Sequence, residues 1–340
     1  MNKTIRRAGI VGIGSSVPEK VLTNEYFEKI VDTSDEWIVS RTGIKERRMA
    51  PKEDAASDLG SRAATAALKH AGVSPDEIDL VICATVSGDM PLPSTASIIQ
   101  HKVGAVNAAA FDLAAGCSGF VYGMSVASGF IGSGIYNKVL VIGVDLLTRL
   151  IDFEDRSTCV LFGDGAGAAV LAPTDDDHGI LSVLLGSDGS GAELLKIDAG
   201  GSRMPTTQET VQTRQHSIKM AGPEVFKFAV KIMGDASAKA LEQCGLAPED
   251  IDLFVPHQAN LRIIDSAARR LKLPPEKVFV NVHKYGNTSA ASIPIALDEA
   301  VREGKLKKDD LVVVVGFGAG LTWAANVIKW ETDSKNDSTD

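Results

Sequence analysis

Residues 63–82, AATAALKHAGVSPDEIDLVI, return as residues 236–255, ASAKALEQCGLAPEDIDLFV, at a constant offset of 173 residues. Ala63, Ala67, Leu68, Gly72, Pro75, Ile78, Asp79 and Leu80 recur as Ala236, Ala240, Leu241, Gly245, Pro248, Ile251, Asp252 and Leu253. The same offset carries Gly143, which follows VLVI, onto Gly316, which follows VVVV. Each copy reads as a helix ending at glycine, a proline and acidic turn, and an apolar strand of the kind buried on both faces of a parallel sheet. The chain is therefore expected to be two similar α/β halves, 1–175 and 176–330, with the seam near 173–179. Residues 331–340 are polar and charged and are expected to form a flexible tail.

Ligands of open α/β sheets collect at the carboxyl ends of strands. Three segments fall at such points. Ala115-Gly116-Cys117-Ser118-Gly119 follows an expected strand over 109–113, and Pro256-His257-Gln258-Ala259-Asn260 follows one over 253–255. Gly286-Asn287-Thr288-Ser289 follows a third, expected over 278–282. A soft nucleophile, an imidazole and an amide donor can thus face each other across the seam, a combination suited to thioester chemistry. Cys117 opens a helix expected over 117–135, whose terminus favours the thiolate. That helix has almost no polar face and should run through the middle of the fold. Singly, each residue has a plain alternative: Cys117 a small buried side chain, His257 an ordinary histidine, Asn287 a helix cap. His283, close to Asn287, is a second candidate imidazole.

Composition narrows the field. The chain has 340 residues, 44% of them hydrophobic and 23% charged, enough for one large core or two fused ones. A net charge of -9 supplies no general basic surface for nucleic acid. Cys83, Cys117, Cys159 and Cys244 show no C-x-x-C spacing, which reads as reduced and cytoplasmic, and no metal site is expected. Residues 8–14 after Lys3, Arg6 and Arg7 imitate a signal peptide but are short and lack a cleavage site, so they read as a first strand. The uncharged stretches 113–137 and 311–328 are broken by Gly and Ser and read as a buried helix and a buried strand pair rather than membrane spans.

The three segments resemble the active-site motifs of the thiolase-fold condensing enzymes. With the asparagine in GNTSAAS and the histidine in PHQAN, the chain is similar to the β-ketoacyl-acyl carrier protein synthase III family. The likeness runs from about Ile10 to Trp330 and includes residues 33–44 (TSDEWIVSRTGI) and 162–167 (FGDGAG). It implies a thiolase-like fold with two α/β halves in a layered α-β-α-β-α arrangement. It also implies a decarboxylative condensation of a short acyl-CoA with malonyl-acyl carrier protein, priming type II fatty acid synthesis, in a homodimer without a cofactor. Acyl-CoA is then a substrate and acyl carrier protein a partner. Cys117 would carry the acyl group, the backbone N–H groups of Cys117 and Ala319 would hold the oxyanion, and His257 and Asn287 would donate to the enolate. Phe317 would wall off the malonyl carboxylate. Trp37 would stack on adenine near Arg41 and Arg156, while Asn260 and Arg262 line the pantetheine channel. Lys227, Arg262, Arg269 and Arg270 form the expected docking patch for the acidic carrier. Leu92 would reach across the dimer to the partner's acyl pocket.

Other readings fit less well. A thiolase needs a second cysteine in the loop 316–320, which has none. Elongating ketosynthases carry histidine where Asn287 stands. A priming ketosynthase of polyketide metabolism shares Cys, His and Asn. Gly9-Ile10-Val11-Gly12-Ile13-Gly14 suggests dinucleotide binding, but Val17 stands at the third glycine position and the oxidoreductase reading fails.

Overall fold

The computed structural model describes residues 6–174 and 177–332, so 333–340 of the expected tail lie outside the described residues. Two sheets carry the molecule. The first has five strands in the order Arg7–Ser16, Asp164–Thr174, Val139–Leu146, Leu80–Ala84, Ala109–Leu113. The second has four, in the order Leu253–Pro256, Leu311–Gly318, Thr322–Lys329, Gly179–Ser187.

The repeat seen in the sequence survives as register. Leu80 pairs with Val139 in the first sheet, and their counterparts Leu253 and Val312 pair in the second, both parallel. Each then continues through an antiparallel neighbour, Val139 opposite Leu171 and Val312 opposite Ile328. Strands in these positions are buried along their length, as their unbroken Val, Ile and Leu runs require.

Helices Gly119–Gly132 and Ser292–Arg302 lie between the sheets and contact strands of both. One apolar cluster includes Phe120, Met124, Ile293 and Leu297 from these helices with Val141 and Val314 from the two sheets. Ala56–Ala71 and Thr95–Val103 cover the outer face of the first sheet, and Gly222–Gln243 with Leu261–Arg270 cover the second. The result is the α-β-α-β-α layering.

Two expectations change. The central helix begins at Gly119 after a single 3-10 turn, Gly116–Ser118, and ends at Gly132; past that end Ile135 is 63% exposed. The strand expected over 278–282 shrinks to one bridge, Phe254 with Val278. There the backbone N–H groups of Asn281 and Val282 donate to the Gln258 side chain at 2.9 and 3.2 Å instead of to a ladder. The stretch 311–328 is the expected strand pair, and among the described residues no helix is long and apolar enough to cross a membrane.

Candidate active site

Cys117, His257 and Asn287 line a single cavity of about 100 Å³, with Phe317, Phe226 and Met220 among its apolar walls. Each arrives from a different element, and each is fixed by local bonding.

His257 leaves the strand Leu253–Pro256 with its backbone N–H on the Val315 carbonyl at 2.8 Å. Its Nδ1 meets the Ser292 hydroxyl at 2.6 Å, and that hydroxyl also lies 3.4 Å from the Gln258 backbone N–H. A hydroxyl that accepts from Gln258 can give its own hydrogen to Nδ1, the arrangement in which the imidazole proton sits on Nε2. Nε2 is buried and has no hydrogen-bond partner among the described residues. Burial holds the imidazole neutral and pushes its pKa down to about 3. The Phe317 ring stands edge-on at 5.5 Å.

Asn287 is pinned by its backbone between the halves: its N–H donates to Leu161 O at 2.9 Å, and its carbonyl accepts from Gly163 at 3.0 Å. Its side-chain Oδ1 accepts the Ser289 N–H at 2.8 Å. That bond leaves the amide NH2 as the end free to donate.

Cys117 sits where two glycines let backbones meet. A Cβ on Gly318 would lie 2.4 Å from the Cys117 nitrogen, and one on Gly116, whose φ is +53°, would lie 2.8 Å from the Ala319 nitrogen. The N–H groups of Cys117 and Ala319 are thus brought close together on surfaces bare of side chains. Thr322 Oγ1, 2.9 Å from Ala115 O and 3.1 Å from Ala319 O, braces the two loops.

Burial opposes the thiolate that the helix terminus is expected to favour. Burial pushes the Cys117 thiol up to about 12, the Ser289 side chain lowers it and the Asp145 charge raises it. The half-charge of a helix terminus acts mainly on the first turn. Here Cys117 lies in the 3-10 turn ahead of the α-helix, and desolvation outweighs that help.

Trp37, Arg41, Arg156 and Arg262 do not line the cavity; Trp37 is half-buried on the helix Asp35–Thr42, capped by Ser34. The guanidinium carbons of Arg41 and Arg156 each lie 5.0 Å from its ring centre. Asn260 lines the cavity and also caps the helix Leu261–Arg270, while its Nδ2 donates to the Arg41 carbonyl at 3.0 Å. Arg262 stacks over Phe226 at 5.1 Å. Lys227, Arg262, Arg269 and Arg270 are all exposed, but Arg270 pairs with Asp235 and packs its stem over Gly234. Leu92 is 84% exposed and away from the cavity lining. His283 does not line the cavity either.

Sequence reasoning passed over Asp145, Ser289 and Ser292. Asp145 had a signal, being the one charge in the buried strand VLVIGVDL. Among the described residues, no group of three or more His, Cys, Asp or Glu is placed to hold a metal ion.

The neutral imidazole has a pH consequence. Below about 6.5 the unfolded chain protonates His257 while the native site resists down to about 3. Stability linked to this group is therefore full above 6.5 and declines as pH falls, by about 1.4 kcal/mol per unit. Denaturant melts from pH 7 to 4 should show a shallower acid slope in His257→Gln than in the native chain.

Known proteins agree with this architecture. The family described as 3-Oxoacyl-[acyl-carrier-protein (ACP)] synthase III matches residues 111–189, and its C-terminal counterpart matches 241–330. A Beta-ketoacyl-[acyl-carrier-protein] synthase III of Caldanaerobacter subterraneus subsp. tengcongensis is 58% identical over 323 residues, 95% of this chain and 98% of its own. The crystal structure of 3-oxoacyl-[acyl-carrier-protein] synthase III from Aquifex aeolicus superposes with a TM-score of 0.89 at 48% identity, covering 95% of this chain and 100% of that one. The priming beta-ketosynthase of the R1128 polyketide pathway superposes at 0.90 with 38% identity, covering 97% and 98%. On this combined ground the chain belongs to the β-ketoacyl-[acyl-carrier-protein] synthase III family and has the thiolase fold.

Proposed function

We propose that the chain joins the acyl group of a short acyl-CoA, acetyl-CoA foremost, to malonyl-acyl carrier protein. The product is 3-oxoacyl-acyl carrier protein, the first condensation of type II fatty acid synthesis. The observation that carries this reading is the meeting of Cys117, His257 and Asn287 on one small apolar cavity. About 100 Å³ suits a short primer.

Cys117 sulfur attacks the thioester carbonyl, the oxyanion is received by the N–H groups of Cys117 and Ala319, and as the carbonyl re-forms the old carbon–sulfur bond breaks and coenzyme A leaves as its thiol, carrying the proton given up by Cys117. Malonyl-acyl carrier protein then enters. Its carboxylate departs as carbon dioxide and the bonding pair becomes an enolate, so no base has to remove a carbon-bound proton. Nε2–H of His257 and the NH2 of Asn287 donate to the enolate oxygen. Phe317 presents an apolar wall that disfavours the carboxylate while it is attached. The enolate carbon attacks the acyl carbonyl and Cys117 is released. The sequence of steps draws on no cofactor.

Trp37 with Arg41 and Arg156 would take the adenine end of coenzyme A, whose phosphates suit two guanidinium groups. Asn260 and Arg262 would line the pantetheine path, and Lys227, Arg262, Arg269 and Arg270 would meet the acidic carrier. Arg270 is the weakest of these because Asp235 already holds it. A homodimer is favoured by the edge strand Ala109–Leu113, which leaves Phe111 and Leu113 half-buried and has no strand beyond it among the described residues. Leu92 would then close the partner's acyl pocket. The halves 1–175 and 176–330 contribute Cys117 on one side and His257 with Asn287 on the other, in a cytoplasmic enzyme.

The likeness to the R1128 priming enzyme supports a second reading, priming in polyketide metabolism, at lower identity. A panel of acyl-CoA primers of varied length and branching separates the two by preference. The primary test is intact-protein mass spectrometry after incubation with acetyl-CoA. An acetyl adduct is expected on Cys117 and none in Cys117→Ala; no adduct with any short acyl-CoA would remove the proposal.

A further inference from the structure

The stretch Pro256-His257-Gln258-Ala259-Asn260 finds work for its histidine and its asparagine and leaves the glutamine between them without any. Gln258 is wholly buried, and its amide is saturated. Nε2 donates to the Pro256 carbonyl at 2.8 Å and to the Phe279 carbonyl at 3.1 Å. Oε1 accepts from the Asn281 N–H at 2.9 Å and from the Val282 N–H at 3.2 Å. A primary amide offers two hydrogens and two lone pairs, and all four are used here, so its orientation is fixed: both hydrogens meet carbonyls and both lone pairs meet N–H groups.

Burying an amide costs free energy unless every group is paired, and an apolar side chain would fill the same space without that demand. What the amide adds is a grip on main chain at two places. Pro256 ends the strand that presents His257, and 279–282 is the segment that leads to Asn287. The Phe279 N–H still reaches the Phe254 carbonyl at 2.9 Å, and from there on Gln258 holds the chain. Asn281 and Val282 open the short helix Val282–Tyr285, whose Asn281 cap makes no side-chain bond of its own; the Gln258 oxygen satisfies those N–H groups instead. The path onward is brief. The Val282 carbonyl accepts from the Gly286 N–H at 2.9 Å, Gly286 turns at φ +63°, and Asn287 follows. The bonds of Asn287 to Leu161 and Gly163 tie it to the first half of the chain, whereas the Gln258 grip ties it to the strand that carries His257.

We propose that Gln258 is a positioning residue, acting through the helix Val282–Tyr285, that sets where the Asn287 amide stands relative to the His257 imidazole. This inference rests on the reading that those two groups donate to the enolate. Gln258 touches no reacting atom, and the step it governs is decarboxylation; acylation draws on Cys117 and the N–H groups of Cys117 and Ala319, which lie outside its reach.

The test measures the two steps separately in the full chain: the rate of acetyl adduct formation on Cys117 by mass, and release of labelled carbon dioxide from malonyl-acyl carrier protein. Gln258→Met fills the space and removes all four bonds; decarboxylation should fall by about 10–10²-fold, the cost of a donor misplaced by about an ångström, with acylation at the native rate. Gln258→Glu keeps an oxygen for Asn281 and Val282 but turns a second oxygen on the Pro256 and Phe279 carbonyls, so the same step should fall. It decides alone should the methionine variant not fold. In an Asn287→Ala background no amide is left to place, so adding Gln258→Met should change decarboxylation by no more than about twofold. Unchanged decarboxylation in the single variants, an equal fall in acylation, losses that multiply in the double variant, or loss of the fold in both single variants would each overturn the proposal, leaving Gln258 a packing residue. Asn287→Ala alone guards the underlying reading: native decarboxylation there would remove the donor role itself, whereas a loss there with unaffected Gln258 variants removes only this inference.

Discussion

Asn287→Asp should still form the acyl-cysteine yet lose decarboxylation of malonyl-acyl carrier protein by about 10²–10³-fold, the usual cost of one donor to a developing oxyanion. The two substituents differ by one atom, and the structure says which end matters. Oδ1 is already taken by the Ser289 N–H at 2.8 Å, so aspartate keeps that bond and the turn that depends on it. What changes is the other end, where an NH2 donor becomes an oxygen bearing negative charge. Acylation uses the sulfur and two backbone N–H groups and does not call on this end. Decarboxylation builds an enolate oxygen there, which an aspartate repels. Release of labelled carbon dioxide measures the second step, and the mass of the acyl adduct measures the first. Decarboxylation at the native rate would show that Asn287 is not the donor.

The repeat at an offset of 173 was legible because buried parallel strands admit little besides Val, Ile and Leu, and because a helix, a glycine and a Pro-acidic turn precede each one. The structure adds that the copies also pair alike, Leu80 with Val139 and Leu253 with Val312. Divergence is what hid the rest. VFVNV at 278–282 has the composition of a strand, but it is capped by the side chain of Gln258, some twenty residues earlier, and no local periodicity contains that fact. The surroundings of Cys117 are hidden for a related reason. Sequence shows that a helix begins nearby; it does not show that the first turn is 3-10 or that the residue is buried within the field of the Asp145 carboxyl. Cys117 and His257 follow strand ends, and Asn287 stands out only within its motif, since the strand expected before it is a single bridge, whereas Ser289 and Ser292 touch those residues and leave no pattern of their own.

Gly318→Ala should slow acylation of Cys117 by about 10²–10³-fold while leaving the fold intact. Gly318 lies outside the left-handed region, so alanine brings no backbone penalty there. The obstacle is the added carbon, which would stand 2.4 Å from the Cys117 nitrogen and 3.1 Å from the Gly116 carbonyl carbon. Real Cβ atoms do not approach backbone so closely, and the neighbour is main chain braced by Thr322 rather than a side chain able to swing away. Either the loops 115–118 and 317–320 part, which separates the N–H groups of Cys117 and Ala319, or the methyl occupies the space in front of them. Both outcomes weaken the grip on the oxyanion without touching the sulfur. Gly129→Ala is the matched control, because a Cβ there meets nothing within 4 Å and acylation should proceed at the native rate. Single-turnover acetylation followed by mass spectrometry, with thermal melts of each variant, separates a lost oxyanion site from a lost fold. If Gly318→Ala acylates as fast as Gly129→Ala, the paired N–H groups do not receive the oxyanion and the stabilising contact must be sought elsewhere on the cavity wall.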